Sequence, residues 1–318
     1  MRSHLVAHSR RRTFLGVVLP SLLALAFVVL ALTPAGVRAT PPDAASASSR
    51  VCLPLALKAY RPVDGNKIVF ASNRDRPDGN ELYWMNPDGS NVSRLFLQGA
   101  WPDWSLDHKH IAWAGAVTGA INVLDVDTWD ARQVTQGAND IQPAWSPDGS
   151  KIAYVTYSSN DWEIRVINAD GSNSQVIVRS GGCGSPDWSP DGSRIVFHWN
   201  NTIYYLYLFD PLTWYFVADG LWPAWSPDGS KIAYYGWSDG QPINSGDIYW
   251  QEVNGEGRGR LTTADGYDGW PAWSPDGSKI VYYVSRSAGV GGIYVMNADG
   301  SDQYSITTHS GDWVPSWH

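Results

Sequence analysis

Pro143-Ala144-Trp145-Ser146-Pro147-Asp148-Gly149-Ser150-Lys151-Ile152-Ala153-Tyr154 spells a strand, a tight turn and a second strand. Pro opens a short extended segment, a position where a strand tolerates it. Within Ser-Pro-Asp-Gly, Pro presets φ at the second turn position, Asp bonds its own backbone, and Gly accepts the left-handed conformation. Lys-Ile-Ala-Tyr then runs back as the partner strand of a hairpin.

The stretch returns nearly unchanged from Pro223 to Tyr234, and from Pro271 to Tyr282 with Val281 in place of Ala. A close relative runs from Pro186 to Phe197, and a degraded one begins Pro102-Asp103-Trp104-Ser105-Leu106-Asp107 and continues to Ile111-Ala112-Trp113. The turn Asp falls at Asp64, Asp107, Asp148, Asp191, Asp228 and Asp276, in steps of 43, 41, 43, 37 and 48 residues. A period in the low forties built of strand-like pieces predicts four-stranded propeller blades. The pieces are present: third strands such as Ile164–Ile167 and Ile293–Met296, a second turn Asn-Ala-Asp-Gly-Ser at Asn168–Ser172 and Asn297–Ser301, and outer strands such as Tyr304–Thr307. Eighteen Trp and sixteen Tyr against three Met suit such packed sheets.

The two ends of the repeat fit each other. Residues 64–70 lack a preceding Pro-x-Trp strand, and Pro315-Ser316-Trp317 is that strand without its partner. The expectation is therefore an all-β, six-bladed β-propeller of four-stranded blades over residues 63–318. The C-terminal strand Pro315–Trp317 completes the first blade and closes the ring, leaving no exposed inner edge.

These motifs resemble the TolB-like family of six-bladed propellers made of WD40-like repeats, over about 255 residues from Asp64 to His318. The Gly-His and Trp-Asp pairs of true WD40 repeats are absent, and sialidase Asp boxes need a Trp where Ser-Lys-Ile stands here. The resemblance implies a scaffold for protein–protein contacts in the periplasm, or an accessory domain of peptidases. No peptidase domain is expected after Trp317-His318. The Tol–Pal partnership is not carried over, because only a linker precedes Asp64.

Residues 1–39 differ in composition. Arg10-Arg11-Arg12-Thr13-Phe14-Leu15 leads into an apolar run from Phe14 to Leu32, followed by small residues ending Val37-Arg38-Ala39. This reads as an export signal with a twin-arginine start and a cleavage-like site. The apolar run is long enough to span a bilayer, so retention would make it an N-terminal membrane anchor, a tether through residues 14–32. Residues 40–62 read as a linker. The expected location is periplasmic, cell-surface or extracellular, anchored if the segment is kept.

The formal net charge is −8. Five Arg and no acid lie in residues 1–39, so their removal leaves 18 basic against 31 acidic residues, −13. That field disfavours nucleic acid and anionic lipid as partners. Cys52 and Cys183 have no metal-ligand spacing, and their pairing is left open. No metal or other cofactor is expected. Asp125-Val126-Asp127-Thr128-Trp129-Asp130 lacks the Gly and distal Glu of a calcium loop, and the His residues form no paired spacing. No Gly-x-Ser-x-Gly elbow exists.

The turn residues recur because they hold turns, so recognition is expected at the opposite end of the ring, where loops differ between blades. There Trp101, Trp222, Trp270 and Trp313 stand just before the innermost strands, three of them directly before Pro. Asp140, Asp268 and Asp312 lie three residues before a Pro. Together they predict an aromatic and acidic funnel at the channel mouth, suited to a sugar, a cationic group or a basic peptide. Residues 236–246 are the expected specificity loop, with Trp237 and Asp239 at its start. Tyr204, Tyr205, Tyr207, Phe209, Trp214, Tyr215 and Phe216 are a second aromatic surface, expected to be mostly packing. The function expected is a non-catalytic binding or interaction propeller, a monomeric domain taking a protein or glycan. The alternative is a polysaccharide lyase or glycoside hydrolase working at the channel mouth.

Overall fold

The computed structural model describes residues 50–51, 66–158, 160–237 and 245–317. The export segment, Cys52, Asp239 and all of the linker but residues 50–51 lie outside the described residues.

The first strands are β1 (Arg50–Val51), β2 (Ile68–Ser72), β3 (Glu81–Met85), β4 (Ser93–Trp104), β5 (His110–Gly115), β6 (Ile121–Asp125) and β7 (Asp130–Gln133). Then come β8 (Asp140–Trp145), β9 (Lys151–Ser158), β10 (Asp161–Asn168), β11 (Gln175–Arg179), β12 (Cys183–Trp188), β13 (Arg194–Trp199), β14 (Thr202–Tyr207) and β15 (Asp210–Asp219). The remainder are β16 (Leu221–Trp225), β17 (Lys231–Gly236), β18 (Asp247–Glu252), β19 (Arg258–Arg260), β20 (Tyr267–Trp273), β21 (Lys279–Ser285), β22 (Gly291–Asn297), β23 (Tyr304–Ser305) and β24 (Asp312–Trp317).

Four sheets have four antiparallel strands each, β8 to β11, β12 to β15, β16 to β19 and β20 to β23. The other strands form one eight-stranded sheet ordered β1-β7-β6-β5-β4-β3-β2-β24. Its continuity comes from β4, which pairs with β3 up to Gln98 and with β5 from Gly99 onward. The last strand lies beside β2, with Ile68 opposite Trp317 and Val69 opposite Ser316. Innermost strands touch in cyclic order, from β4 through β8, β12, β16, β20 and β24 back to β4. The molecule is thus an all-β propeller, a ring of antiparallel sheets.

The repeated turn is held by its own side chains. Ser146 Oγ donates to Asp148 Oδ1 at 2.7 Å, Ser150 N donates to the same oxygen at 3.0 Å, and Lys151 N donates to Ser146 Oγ at 2.9 Å. The Ser-to-Asp bond recurs at Ser189–Asp191, Ser226–Asp228 and Ser274–Asp276. It also survives in the degraded copy as Ser105–Asp107, where His108 takes the left-handed φ of 56° in place of Gly. The hydrogen bond from the Ser189 hydroxyl leads in holding the Asp191 carboxyl down at about 2. The second turn is tied to the first: Lys151 Nζ reaches Asn168 Oδ1 at 3.0 Å, and Lys279 Nζ reaches Asn297 Oδ1 at 2.9 Å.

The core sits between sheets. Val196 and Ile203 of one sheet pack on Ile232 and Tyr234 of the next, and Ala233 and Ile248 pack on Ile280 and Tyr282 of the sheet after. The motif Trp residues, Trp104, Trp145, Trp188, Trp225, Trp273 and Trp317, are all buried. Two of them also bond across blades, Trp188 Nε1 donating to Ala144 O and Trp273 Nε1 to Ala224 O. On the sheet of β12 to β15 the expected packing is incomplete: Phe209, Tyr215 and Phe216 are exposed. Cys183 is a buried free thiol whose pKa burial pushes up to about 11.

Candidate functional site

Each innermost strand breaks register just before its Pro. The residue at that bulge adopts left-handed backbone in every case: Trp101, Gln142, Ser185, Trp222, Trp270 and Val314 have φ between 47° and 53°. For a non-glycine residue that conformation costs roughly 1–2 kcal/mol, and six repetitions mean that the fold imposes it. A bulge re-aims the side chain it carries. Here one such bulge lies toward the loop end of each innermost strand.

Four of the expected residues meet there. Trp222 and Trp270 have ring centroids 4.6 Å apart, Trp270 and Trp313 are 5.6 Å apart at 69°, and Trp313 and Trp101 are 5.8 Å apart at 73°. All four are half-buried and each touches the next along the arc, and Trp101 and Trp313 also pack on core residues of the adjoining sheets. Tyr235, Tyr267 and Tyr283 back this arc, with Tyr267 at 4.9 Å from Tyr235, 5.6 Å from Trp270 and 6.0 Å from Tyr283. Trp237 joins through Tyr235 at 5.9 Å. The rest of its loop through Asn244, Asp239 included, is outside the described residues.

The opposite side of the mouth is polar. Gln142 and Ser185 occupy the bulge positions of β8 and β12, and Ser185 N donates to Gln142 Oε1 at 2.9 Å. His198 is the cross-strand partner of Gly184, and a Cβ on that glycine would fall 2.9 Å from His198 Nε2. Burial lowers the His198 pKa to about 4, so the imidazole is neutral at physiological pH. Pattern reading missed these residues because they occur once each, at places where other blades carry aromatics or aliphatics.

The three carboxylates are all covered by other groups. Asp140, Asp268 and Asp312 are buried. Asp140 Oδ2 accepts from Gly137 N at 3.1 Å. Arg286 Nη1 lies 2.5 Å from Asp268 Oδ1, and burial outweighs that cation and raises the Asp268 pKa. Arg74 pairs with Asp312, which also accepts from Ser72 Oγ at 2.6 Å. Other acids of this end are similarly covered: Arg94 on Glu81, Arg260 at 2.7 Å from Asp247, and Arg165 and Arg179 at 2.7 and 2.6 Å from Glu163. No Arg cluster is legible at the axis from spacing, because these partners come from loops and outer strands. Arg74 and Arg286 do share one signal, a place just after the second strand of a blade.

A second feature lies further along the axis. A cavity of about 210 Å³ is lined by all six Pro-x-Trp segments and by the Ser-Pro turns, and none of the four mouth tryptophans borders it. The repeated motif therefore encloses the axial space as well as building the turns. Asp103 projects there, accepting from Trp145 N at 2.8 Å and Ser316 Oγ at 3.2 Å, and so bridges three innermost strands. Burial raises its pKa to about 7. Asp187 makes the equivalent link to Trp225 N at 2.7 Å. Among the described residues no three His, Cys, Asp or Glu side chains gather as a metal site.

Comparison with known proteins places this geometry. The family model for the TolB beta propeller domain matches residues 115–210 and 218–318. A TolB homologue of Chlorobaculum tepidum is 33% identical over 131 residues, which is 39% of this chain and 30% of that protein. The chain thus aligns with less than a third of that relative. Among solved structures, TolB from Acinetobacter baumannii superposes with a TM-score of 0.69 at 21% identity, covering 79% of this chain and 66% of the other. A putative TolB from Agrobacterium tumefaciens gives 0.62 at 19% identity, covering 78% and 91%. An oligogalacturonate lyase from Vibrio parahaemolyticus gives 0.54 at 16% identity, covering 78% and 76%. At such identities the structural likenesses speak for the fold alone.

Proposed function

The chain belongs to the TolB β-propeller domain family, and on that premise we propose that it is a non-catalytic, exported binding propeller. Its ligand or protein partner sits at the loop end, around the axis. The observation that carries this reading is the contiguous arc of Trp222, Trp270, Trp313 and Trp101, half-buried, three of them at left-handed bulges and Trp313 beside the bulge at Val314. Aromatic surface already held in place costs little to order on binding. We count six blades, dividing the eight-stranded sheet at β4, and the cyclic contact of six innermost strands supports that count. Export rests on the basic, apolar and small-residue pattern of residues 1–39. The domain acts as a monomer, tethered through residues 14–32 if the signal is kept.

An enzyme working at this mouth would need an accessible acid or base, and Asp268 is fully buried beside Arg286. The test is a screen of the full-length chain against immobilised glycans and peptides, repeated with Trp222→Ala. Binding that is lost in a folded variant is the expected result. A ligand held equally by both sinks the mouth reading, and polysaccharide turnover abolished by Asp268→Asn would replace it with an enzyme.

A further inference from the structure

The loop-end mouth is divided in two. Going round the axis, β16, β20, β24 and β4 contribute Trp222, Trp270, Trp313 and Trp101, while β8 and β12 contribute Gln142 and Ser185 with His198 behind. One side is a stacking surface and the other is a set of neutral hydrogen-bonding groups. Ser185 N occupies the Gln142 carbonyl oxygen, which leaves the amide N–H donors of Gln142 for a ligand. His198, held neutral by burial, has its Nδ1 buried, which leaves Nε2 as the nitrogen a ligand could use.

Five buried acids of this end are already paired, although Asp75, Asp78, Asp219 and Asp265 stay exposed. Asp268, Asp312, Glu81, Asp247 and Glu163 each face an arginine. A cationic ligand would find no bare carboxylate among them, and an anionic ligand would find Arg74 and Arg286 already engaged. Of the acidic funnel expected from the spacing of Asp140, Asp268 and Asp312, the last two are covered by arginines, while Asp140 is buried and accepts from Gly137 N, which weakens the case for a cationic ligand.

We propose that this mouth binds an uncharged carbohydrate, a pyranose ring laid on the Trp222–Trp270–Trp313–Trp101 arc with its hydroxyl edge toward Gln142, Ser185 and His198. The inference deepens the binding reading above and rests on it. A pyranose has the matching division: C–H groups on one face meet the electron-rich faces of indoles, while its equatorial hydroxyls both donate and accept. Neutral polar partners suffice, because a neutral sugar brings no charge to be compensated. A proline-rich peptide also stacks on aromatics, but its carbonyls call for several donors along an extended line. The mouth provides a compact cluster on one side only, which favours the sugar.

Isothermal titration of the full-length chain with neutral gluco-, xylo- and chito-oligosaccharides, hexagalacturonate and a proline-rich peptide separates the outcomes. We expect at least one neutral oligosaccharide to bind, with an affinity that is unchanged when salt is raised from about 0.05 to about 0.5 M. Trp270→Ala should weaken it about tenfold or more, Trp270→Phe by no more than about threefold since a stacking face remains, and Trp214→Ala on β15 not at all. Where Trp270→Ala fails to fold, saturation-transfer NMR on the unmodified protein reports the same contact, with transfer to ring C–H protons. Binding only of the peptide or of hexagalacturonate, lost in Trp270→Ala, overturns the neutral-sugar proposal and leaves the mouth as the binding site. Silence of every neutral oligosaccharide also overturns it. Binding of any probe that ignores both Trp270→Ala and Trp222→Ala removes the mouth reading itself.

Discussion

The two ends of the ring use the same strands in different ways. At the turn end one set of bonds is copied between blades: the Asp accepts from the Ser before it and the Ser after it, and in some blades a Lys reaches across to the second turn. At the loop end less is shared: a Thr hydroxyl caps the third strand in three blades, and the bulge residues are Trp, Gln, Ser, Trp, Trp and Val. The backbone there is nevertheless as uniform as at the turns, with all six residues in one left-handed conformation. The contrast teaches that in this molecule repetition of backbone and repetition of side chain are separate matters. Where both repeat, the residues hold the ring. Where only the backbone repeats, a fixed scaffold displays a variable surface.

That division can be strained first at the loop end's buried charges. Arg286→Ala leaves Asp268 buried without its cation, and removal of one partner of such a pair costs about 3 kcal/mol, less where the arginine is partly exposed. The expected outcome in urea titration is a loss of about 2 kcal/mol, with Arg286→Lys recovering part. An unchanged midpoint would mean that Asp268 is already protonated and that the pair carries no stability.

A smaller effect comes from acids at the two levels of the axis. Asp191 in a turn is held at about 2, while burial raises Asp103 in the axial cavity to about 7. A depressed carboxyl adds stability above its unfolded value near 3.8, and that part is lost as pH falls toward 2. A raised carboxyl does the reverse: its contribution is complete below 3.8 and is lost as pH rises through 7. Denaturant midpoints should therefore decline on both sides of mildly acid pH. Asp103→Asn should flatten the decline between pH 4 and 7, and Asp191→Asn should shorten the acid limb. Equal slopes for Asp103→Asn and the parent protein over that range would contradict the assigned burial.

Much of this was legible from the motif alone. Pro-x-Trp-Ser-Pro-Asp-Gly announces its own strand, turn and strand, and the stranded Pro315-Ser316-Trp317 announces its partner β2. The meeting of Trp101, Trp222 and Trp270 with Trp313 follows from their places next to the Pro of an innermost strand, although they lie within those strands and Trp313 stands one residue earlier than the others. Other features had no local signal. A residue before Pro ordinarily reads as extended, so the left-handed bulge at Trp222 is a tertiary effect. Asp268 and Asp312 looked like ligands because their arginines arrive from loops of unequal length. Gln142, Ser185 and His198 break the repeat, and a reading that rewards repetition passes over them. The axial cavity was hidden for the opposite reason: its lining is the motif itself, already assigned to the turns.

Trp222 and Trp225 lie three residues apart on β16, one half-buried at the mouth and the other 5% exposed in the core between sheets. Equilibrium unfolding of Trp222→Ala and Trp225→Ala, each followed by titration with the ligand found above, compares the two ends within a single strand. Trp225→Ala should lose about 3–5 kcal/mol of stability, whereas Trp222→Ala should lose about 1 kcal/mol or less and forfeit binding. Equal losses of stability, or binding retained by a folded Trp222→Ala, would contradict the division of labour between the turn end and the loop end.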